Sequence, residues 1–303
     1  MATTPCAALI SGIEAMDAFL HQLLSGLANG GIYASIALAL VMIFQATHHI
    51  NFAQGEQAMF SAYIALTLIQ AGVPYWVAFV IALVFAFIAG IVIERIIVRQ
   101  FANAPVLAVV VVFLGMLFII NSLAGWLFTY NVQAFPSPFP TGLGTRFLSA
   151  HEIGMIAVTL VTLLAVYAFF RFTPLGLAMR AAAQNPEASR LVGIRVNAML
   201  ALGWGLAGAI GAVAAIMAAP IVYIEPNMMA GILLYGFAAA LLGGINNPWG
   251  AAAGGFIVGV IENLAGAYVV GTELKLSVAL VIIIVVLVTR PAGLFGHSVV
   301  TRV

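Results

Sequence analysis

Long apolar stretches, separated by short polar segments, make up most of the chain. Several of them exceed the roughly 20 residues that a helix needs to cross a bilayer. Segments such as 278–288 are continuously apolar and lack the alternation of a membrane β-strand. Because lipid cannot satisfy an open backbone, each stretch is expected to be helical. The predicted stretches are 19–44, 56–71, 75–99, 105–129, 152–171, 197–219, 228–244, 251–270 and 274–290.

The pattern predicts an all-α integral membrane protein, a polytopic bundle of about eight or nine transmembrane helices. The count stays open because 56–71 is short and begins with Glu56, so this stretch is either a full span or a re-entrant segment. The first stretch is long enough to tilt or break. We expect a short polar lead at 1–18, one transmembrane domain at 19–296 and a tail at 297–303.

Composition supports this assignment. Hydrophobic residues make up 64% of the chain and charged residues 6%, against about 25% charged residues in soluble domains. The net charge is +1 and no basic run is present, so nothing suggests a nucleic-acid partner. A single cysteine, Cys6, excludes an internal disulfide and a multi-cysteine metal site.

The positions of the arginines predict the orientation. If every stretch spans the membrane, all but one of the arginines fall on one side, which the positive-inside rule assigns to the cytoplasm together with the C-terminus. The opposite side receives only Arg146 and Lys275. The clustered arginines are Arg95, Arg99, Arg171, Arg180, Arg190, Arg195, Arg290 and Arg302.

Two loops have distinctive sequences. The outer loop at about 130–151 contains three prolines, which favour extended backbone, and it is either a plain connector or a docking surface. In the inner loop at about 172–196, Pro174 suits the first turn of a helix. Asn185 suits the N-cap of a second helix, and Gly193 its end. We expect short helices outside the membrane here, facing either anionic lipid or a cytoplasmic protein.

Polar residues within the apolar stretches are candidates for a translocation path, since each ionisable group in a membrane costs about 2.5–3.5 kcal/mol. Glu262 and Asn263 can equally form interhelical hydrogen bonds, and Glu94 is expected to extend its carboxylate to the interface beside Arg95. Glycines on one face of the eighth stretch are expected to pack helices closely. The path candidates are Asn51, Gln54, Glu56, Asn121, Glu262 and Asn263, and the packing glycines are Gly255, Gly259 and Gly266.

Enzymatic function is not expected. The five histidines are scattered and form no metal-binding motif, so no metal site is predicted. A P-loop requires a lysine after its glycines, but the single lysine, Lys275, lies in a Glu-Leu-Lys-Leu segment. Energy for active transport would have to come from another subunit.

Three segments carry a family resemblance: I-N-F-A-Q-G-E at 50–56, T-P-L-G-L-A-M-R-A-A-A-Q-N-P-E-A-S-R-L-V-G-I at 173–194, and L-L-G-G-I with P-W-G-A at 241–251. In order and spacing they resemble the permease subunits of branched-chain amino-acid ABC importers, the LivH/LivM family, and the first segment resembles the LivH branch more closely. The chain departs from the family pattern at Ile245, where glycine is frequent, and at Asn246-Asn247.

The resemblance implies a bacterial inner-membrane permease for branched-chain or other hydrophobic amino acids, or for related amides, urea or aromatic acids. Its implied partners are a second, LivM-like permease, two cytoplasmic ATPases that use ATP and Mg²⁺, and a periplasmic binding protein; the chain itself would hold no cofactor. A secondary transporter driven by an ion gradient and a passive channel remain alternatives. The implied ATPase-coupling residues are Arg180, Asn185, Pro186, Glu187, Ala188, Arg190 and Gly193.

Overall fold

A computed structural model describes residues 5–47, 49–101 and 104–296. The described residues form eleven α-helices, and their only β-type pairing is an isolated antiparallel bridge between Gln133 and Ile224. The helices are α1 (Pro5–Thr47), α2 (Gln54–Gln70), α3 (Tyr75–Ile96), α4 (Val106–Leu127), α5 (Ala150–Phe172), α6 (Pro174–Gln184), α7 (Pro186–Leu191), α8 (Val196–Val222), α9 (Met228–Gly243), α10 (Pro248–Ala265) and α11 (Lys275–Thr289).

Seven helices in the described part of the chain are long and apolar enough to cross a membrane: α1, α3, α4, α5, α8, α10 and α11. The last is counted together with the short helical turn Thr272–Leu274 before it, so that its span Thr272–Thr289 has 18 residues. Helix α9 is apolar but has only 16 residues, and α2 has 17. Together they make nine hydrophobic elements, in agreement with the predicted all-α polytopic bundle of eight or nine helices. Helix α1 begins at Pro5, so residues 5–18 of the predicted polar lead are helical.

The bundle has a central and a peripheral group of helices. Helices α1 and α8 bury most of their apolar residues, whereas α4 and α11 bury few of theirs. Exposed side chains such as Val161, Leu164 and Ile284 point outwards from the peripheral helices. Lipid tails solvate such side chains as well as a protein core does, so this surface is typical of a membrane protein.

The most extensive helix packing joins α1 and α10. A β-carbon on Gly255 would collide with the backbone of Ala34, and one on Gly259 would collide with the backbone of Gly30. Small residues on both helices therefore allow the two backbones to approach closely. Gly266 has another neighbour, because a β-carbon there would meet the Lys275 side chain.

Many of the helix ends meet at one end of the bundle, which we call the arginine end. There Gln45 Nε2, near the end of α1, donates a 2.9 Å hydrogen bond to the Asn246 carbonyl after α9. Tyr167 near the end of α5 contacts Trp249 at the start of α10, with ring centroids 5.4 Å apart. The helix ends and loops that carry Arg95, Arg99, Arg171, Arg180, Arg190, Arg195 and Arg290 lie here.

The proline-containing loop at 130–151 lies at the opposite end, folded against the bundle. Phe135 is buried, and Phe139 packs against Trp76 with ring centroids 5.9 Å apart. Arg146 forms an ion pair with Asp17 of α1. The loop is thus packed onto the helices through these aromatic residues.

Candidate functional site

Helix α2 begins inside the bundle. Gln54, its first residue, is fully buried, and its Nε2 donates a 3.0 Å hydrogen bond to the carbonyl of Ala207. Ala207 lies near the middle of the 27-residue α8. The break between α1 and α2 therefore places a helix N-terminus in the interior, as in the discontinuous helices that form transporter sites.

The turn before α2 is held by Asn51, which is also fully buried. Its Oδ1 accepts from the Ala53 backbone N–H at 3.0 Å, and its Nδ2 donates to Gln54 Oε1 at 3.3 Å. Asparagine commonly closes such turns with its own side chain. Asn51 and Gln54, both predicted path residues, thus form one hydrogen-bonded unit.

Glu56 and Asn121 connect this unit to α4 and to the segment before α9. Asn121 Nδ2 lies 3.2 Å from Glu56 Oε2, 2.8 Å from the Pro226 carbonyl and 3.1 Å from Asn227 Oδ1. Glu56 is buried in the first turn of α2, where the positive end of the helix dipole favours a negative charge. We call Asn51, Gln54, Glu56 and Asn121 the central cluster.

A second polar cluster surrounds Glu262 of α10. Lys275 Nζ lies 3.4 Å from Glu262 Oε1 and donates to Asn263 Oδ1 at 3.0 Å. Tyr33 of α1 donates to Glu262 Oε2 at 3.4 Å. We call Tyr33, Glu262, Asn263 and Lys275 the lysine cluster; it joins α1, α10 and α11.

Two further contacts extend the lysine cluster. Asn263 Nδ2 donates to the carbonyl oxygen of Gln22 at 2.7 Å and to its Oε1 at 2.8 Å. The Tyr33 ring stacks on Tyr235 of α9 with centroids 4.7 Å apart. Among the described residues no hydrogen bond joins the lysine cluster to the central cluster. The six predicted path residues therefore fall into two groups: four form the central cluster, and Glu262 and Asn263 belong to the lysine cluster.

The inner loop forms two capped helices, α6 and α7. Thr173 Oγ1 accepts from the Gly176 backbone N–H at 3.0 Å at the start of α6, where Pro174 occupies the first turn. Asn185 Oδ1 accepts from the Ala188 N–H at 2.9 Å at the start of α7. Gly193 follows with a φ of +86°. The sequence predictions of both helix starts and of the glycine end are confirmed.

The α6–α7 segment presents a mixed surface. Leu191 is 89% exposed and Val192 75% exposed. Glu187 and Arg190 of α7 are exposed as well. Arg180 is exposed too, but it lines a cavity between α6 and the membrane helices. The predicted coupling residues are therefore divided between an outward surface on α7 and an inward face on α6.

Comparison with known proteins assigns this architecture to a family. The family model described as "Branched-chain amino acid transport system / permease component" matches residues 22–287. The chain belongs to this permease family.

Named relatives agree with the family match. The chain is 32% identical to the "High-affinity branched-chain amino acid transport system permease protein LivH" of Escherichia coli K12 over 94% of this chain and 98% of the relative. It is 31% identical to BraD of Pseudomonas aeruginosa, with the same two coverages. A probable LivH of Methanocaldococcus jannaschii is 29% identical over 86% of this chain and 87% of the relative.

Among solved structures, the chain is similar to PsaBC from Streptococcus pneumoniae in complex with Fab, at 15% identity and a TM-score of 0.47. That match covers 95% of this chain and 97% of the other. Family membership bears out the prediction of a multi-pass transport protein that acts as a permease and not as an enzyme.

One sequence interpretation of this permease was wrong. Glu94 was expected to extend to the interface, but its side chain is buried, and its Oε2 has no hydrogen-bond partner among the described residues. The reason is helical geometry. Glu94 continues the buried i, i+4 row of small residues on α3 that contacts α8, namely Ala78, Ala82, Ala86 and Gly90.

Sequence reasoning also missed members of the permease's lysine cluster. Tyr33 lies in an apolar stretch and resembles an ordinary core residue, as does Tyr235, on which its ring stacks. Lys275 was predicted only to lie in an outer turn, without a partner. The one available signal was that it is the single lysine of a very apolar chain. Its partner Glu262 is 13 positions earlier in sequence and on another helix, so only the tertiary structure reveals the pair.

Proposed function

We propose that this chain forms, together with a second permease subunit, the translocation pathway of an ABC importer. Separate ATPase subunits would supply the energy, using ATP and Mg²⁺, and a periplasmic binding protein would deliver the substrate. The arginine end would face the cytoplasm of a bacterial inner membrane, in line with the positive-inside rule. The permease-family match supports the class of transporter.

The α6–α7 segment is the observation that carries this proposal. It lies at the arginine end, outside the long helices, and both of its helices are rigidly capped. Leu191 and Val192 expose apolar surface beside the charged Glu187 and Arg190. A partly apolar surface with charges around it is typical of a protein interface. We infer that an ATPase subunit covers α7 and moves it.

The substrate class follows from the relatives and the polar clusters. The relatives are named for branched-chain amino acids. The central cluster offers amide groups and one carboxylate within otherwise apolar surroundings. These features suit small, partly apolar solutes: branched-chain or other hydrophobic amino acids, or related amides, urea or aromatic acids.

The experiment is uptake of radiolabelled leucine into proteoliposomes that contain the permease, its partner permease, the ATPases and the binding protein. Uptake is expected to require ATP and both ATPases. Glu187→Arg reverses one exposed charge on α7 without removing any hydrogen bond found in the structure, so it should abolish coupled uptake while the chain still inserts.

Glu273→Arg is the matched control, because Glu273 is an exposed glutamate at the opposite end of the bundle. This variant should transport normally. Uptake that persists without ATPases and follows a proton or sodium gradient would replace the proposal with the secondary-transporter alternative. Normal ATP-dependent uptake by Glu187→Arg would remove this position of α7 from the coupling surface.

A further inference from the structure

A large cavity lies at the arginine end between α1, α5, α6 and α10. Its volume is about 610 Å³, within the range of about 300–1,000 Å³ of small-molecule sites. It is separate from the central cluster and the lysine cluster, none of whose residues line it. The lining residues are Leu38, Met42, Gln45, Val166, Tyr167, Phe170, Arg171, Arg180, Ala183, Gln184, Asn246, Pro248 and Trp249.

The polar part of the cavity is positively charged. Arg171 comes from the last turn of α5 and Arg180 from α6. Neither has an ion pair among the described residues, and no acidic side chain lines the cavity. Gln184, one turn from Arg180 on the same face of α6, adds an amide. Two unpaired guanidinium groups favour an anion with several oxygens, such as a phosphate.

The rest of the cavity is apolar. Leu38, Met42 and Val166 are buried side chains on the wall, and Phe170 adds a ring. Beside it, Tyr167 is 45% exposed and Trp249 39%, and an anion with no hydrophobic part would leave these rings in contact with water. The ligand that matches both parts is amphipathic.

The cavity is continuous with the membrane-facing side of α5. Tyr167 is half-exposed and continues the exposed face formed by Leu160 and Leu164, because positions three and four apart share a helix face. Trp249 packs edge-on against Tyr167 and is also partly exposed. Tyrosine and tryptophan are enriched at the headgroup level of bilayers.

We propose that this cavity binds one anionic glycerophospholipid, with its phosphate between Arg171 and Arg180 and an acyl chain against the rings of Phe170, Tyr167 and Trp249. Basic cavities between membrane helices at one membrane face are suited to such headgroups. The lipid would touch Arg180, Ala183 and Gln184 on one face of α6, and so connect the bilayer to this helix. Binding does not depend on the proposed transport function.

The test measures retained lipid. The permease is purified with its partner subunits in mild detergent from a membrane that contains both anionic and zwitterionic phospholipids, and bound lipid is identified by native mass spectrometry. About one anionic phospholipid per wild-type chain is expected. The double variant R171Q/R180Q should lower its retention on the order of tenfold or more, since both charged contacts are lost.

Arg290→Gln is the matched control, because Arg290 lies at the same end but outside the cavity. It should retain lipid like the wild type. Ala183→Trp is a second, independent variant that fills the cavity while keeping both arginines, and it should lose the lipid as well. It also serves as the test if R171Q/R180Q fails to fold.

Equal retention by the wild type and a folded R171Q/R180Q or Ala183→Trp variant would overturn the proposal. So would an equal loss in Arg290→Gln, which would indicate a general effect of surface charge. Displacement of the lipid by millimolar leucine would instead identify the cavity as part of the substrate path. Displacement by inorganic phosphate alone would identify an anion site without an acyl contact.

Discussion

The ion pair between Lys275 and Glu262 allows a quantitative test of the lysine cluster. The side chain of Glu262 is 4% exposed and that of Lys275 is 26% exposed, with 3.4 Å between Nζ and Oε1. Replacing Lys275 with methionine keeps an unbranched side chain, one atom shorter, but leaves the carboxylate without its cation. Tyr33 would then be the remaining hydrogen-bond donor to that carboxylate.

The expected loss of stability follows from the burial of the Lys275 and Glu262 side chains. Breaking a buried pair costs about 3–5 kcal/mol, and an uncompensated carboxylate within a membrane costs about 2.5–3.5 kcal/mol. Because Lys275 is a quarter exposed, we take the lower end of both of these energy ranges. We expect Lys275→Met to lower the free energy of unfolding by about 3 kcal/mol, which corresponds to a fall in Tm of roughly 5–10 °C.

The double variant E262Q/K275M separates charge from packing. It removes both charges, and a glutamine at 262 can still accept from Tyr33. We therefore expect it to regain at least about half of the stability that Lys275→Met loses, since removing both partners costs less than stranding one.

Thermal unfolding of each variant, followed by tryptophan fluorescence in the same detergent, measures these differences. Arg146→Met is the control, because the side chain of Arg146 is 71% exposed in its pair with Asp17. An exposed pair is worth at most about 1 kcal/mol. A Lys275→Met variant as stable as the wild type, or an E262Q/K275M variant that regains none of the stability lost by Lys275→Met, would refute the role of the ion pair.

Two further predictions concern glycines. Gly259→Leu should destabilise the bundle by about 1–3 kcal/mol or more, because the new side chain would meet the α1 backbone. Gly115→Leu is its control: it lies on the exposed face of α4 with no neighbour within 4 Å and should leave Tm within about 1 °C of the wild type. An equal loss of stability in both variants would contradict the close packing of α1 and α10. Gly193→Ala should weaken ATP-dependent uptake although space around Gly193 is open, because φ of +86° costs a non-glycine residue about 1–2 kcal/mol. Gly193→Asn should be tolerated better, and full uptake by the alanine variant would show that the left-handed turn is not needed.

The helices and the capped inner loop could be predicted because their determinants are local. Thr173 and Asn185 act on backbone groups three residues away, and the positive φ of Gly193 is a property of one residue. The same holds for the apolar stretches, whose length alone determines whether they can span a bilayer. Such features need no knowledge of distant partners.

The arrangement of the polar side chains could not be predicted for the opposite reason. The Tyr33–Glu262 hydrogen bond joins residues 229 positions apart, and the Gln54–Ala207 bond joins residues 153 positions apart. The sequence marked Glu262 and Gln54 as costly to bury but gave no partner for either. For Glu94 a local signal existed, the row of small residues four apart on α3, and the neighbouring Arg95 outweighed it in the sequence interpretation.

Helix α9 links the two polar clusters. Asn121 of the central cluster bonds to the Pro226 carbonyl and Asn227 just before α9, and Tyr33 of the lysine cluster stacks on Tyr235 within α9. With 16 residues, α9 is about 24 Å long at about 1.5 Å per residue, short of the roughly 30 Å hydrocarbon core.

A helix that does not reach both interfaces is positioned by its neighbours rather than by the bilayer. The clusters that hold α9 are therefore also the contacts that have to exchange partners if α9 moves during transport. A packing role and a transport role for Asn121 and Glu262 are compatible on this argument. The hydrogen bonds of Asn121 just before α9 and the stacking of Tyr33 on Tyr235 are thus contacts that a movement of α9 would break.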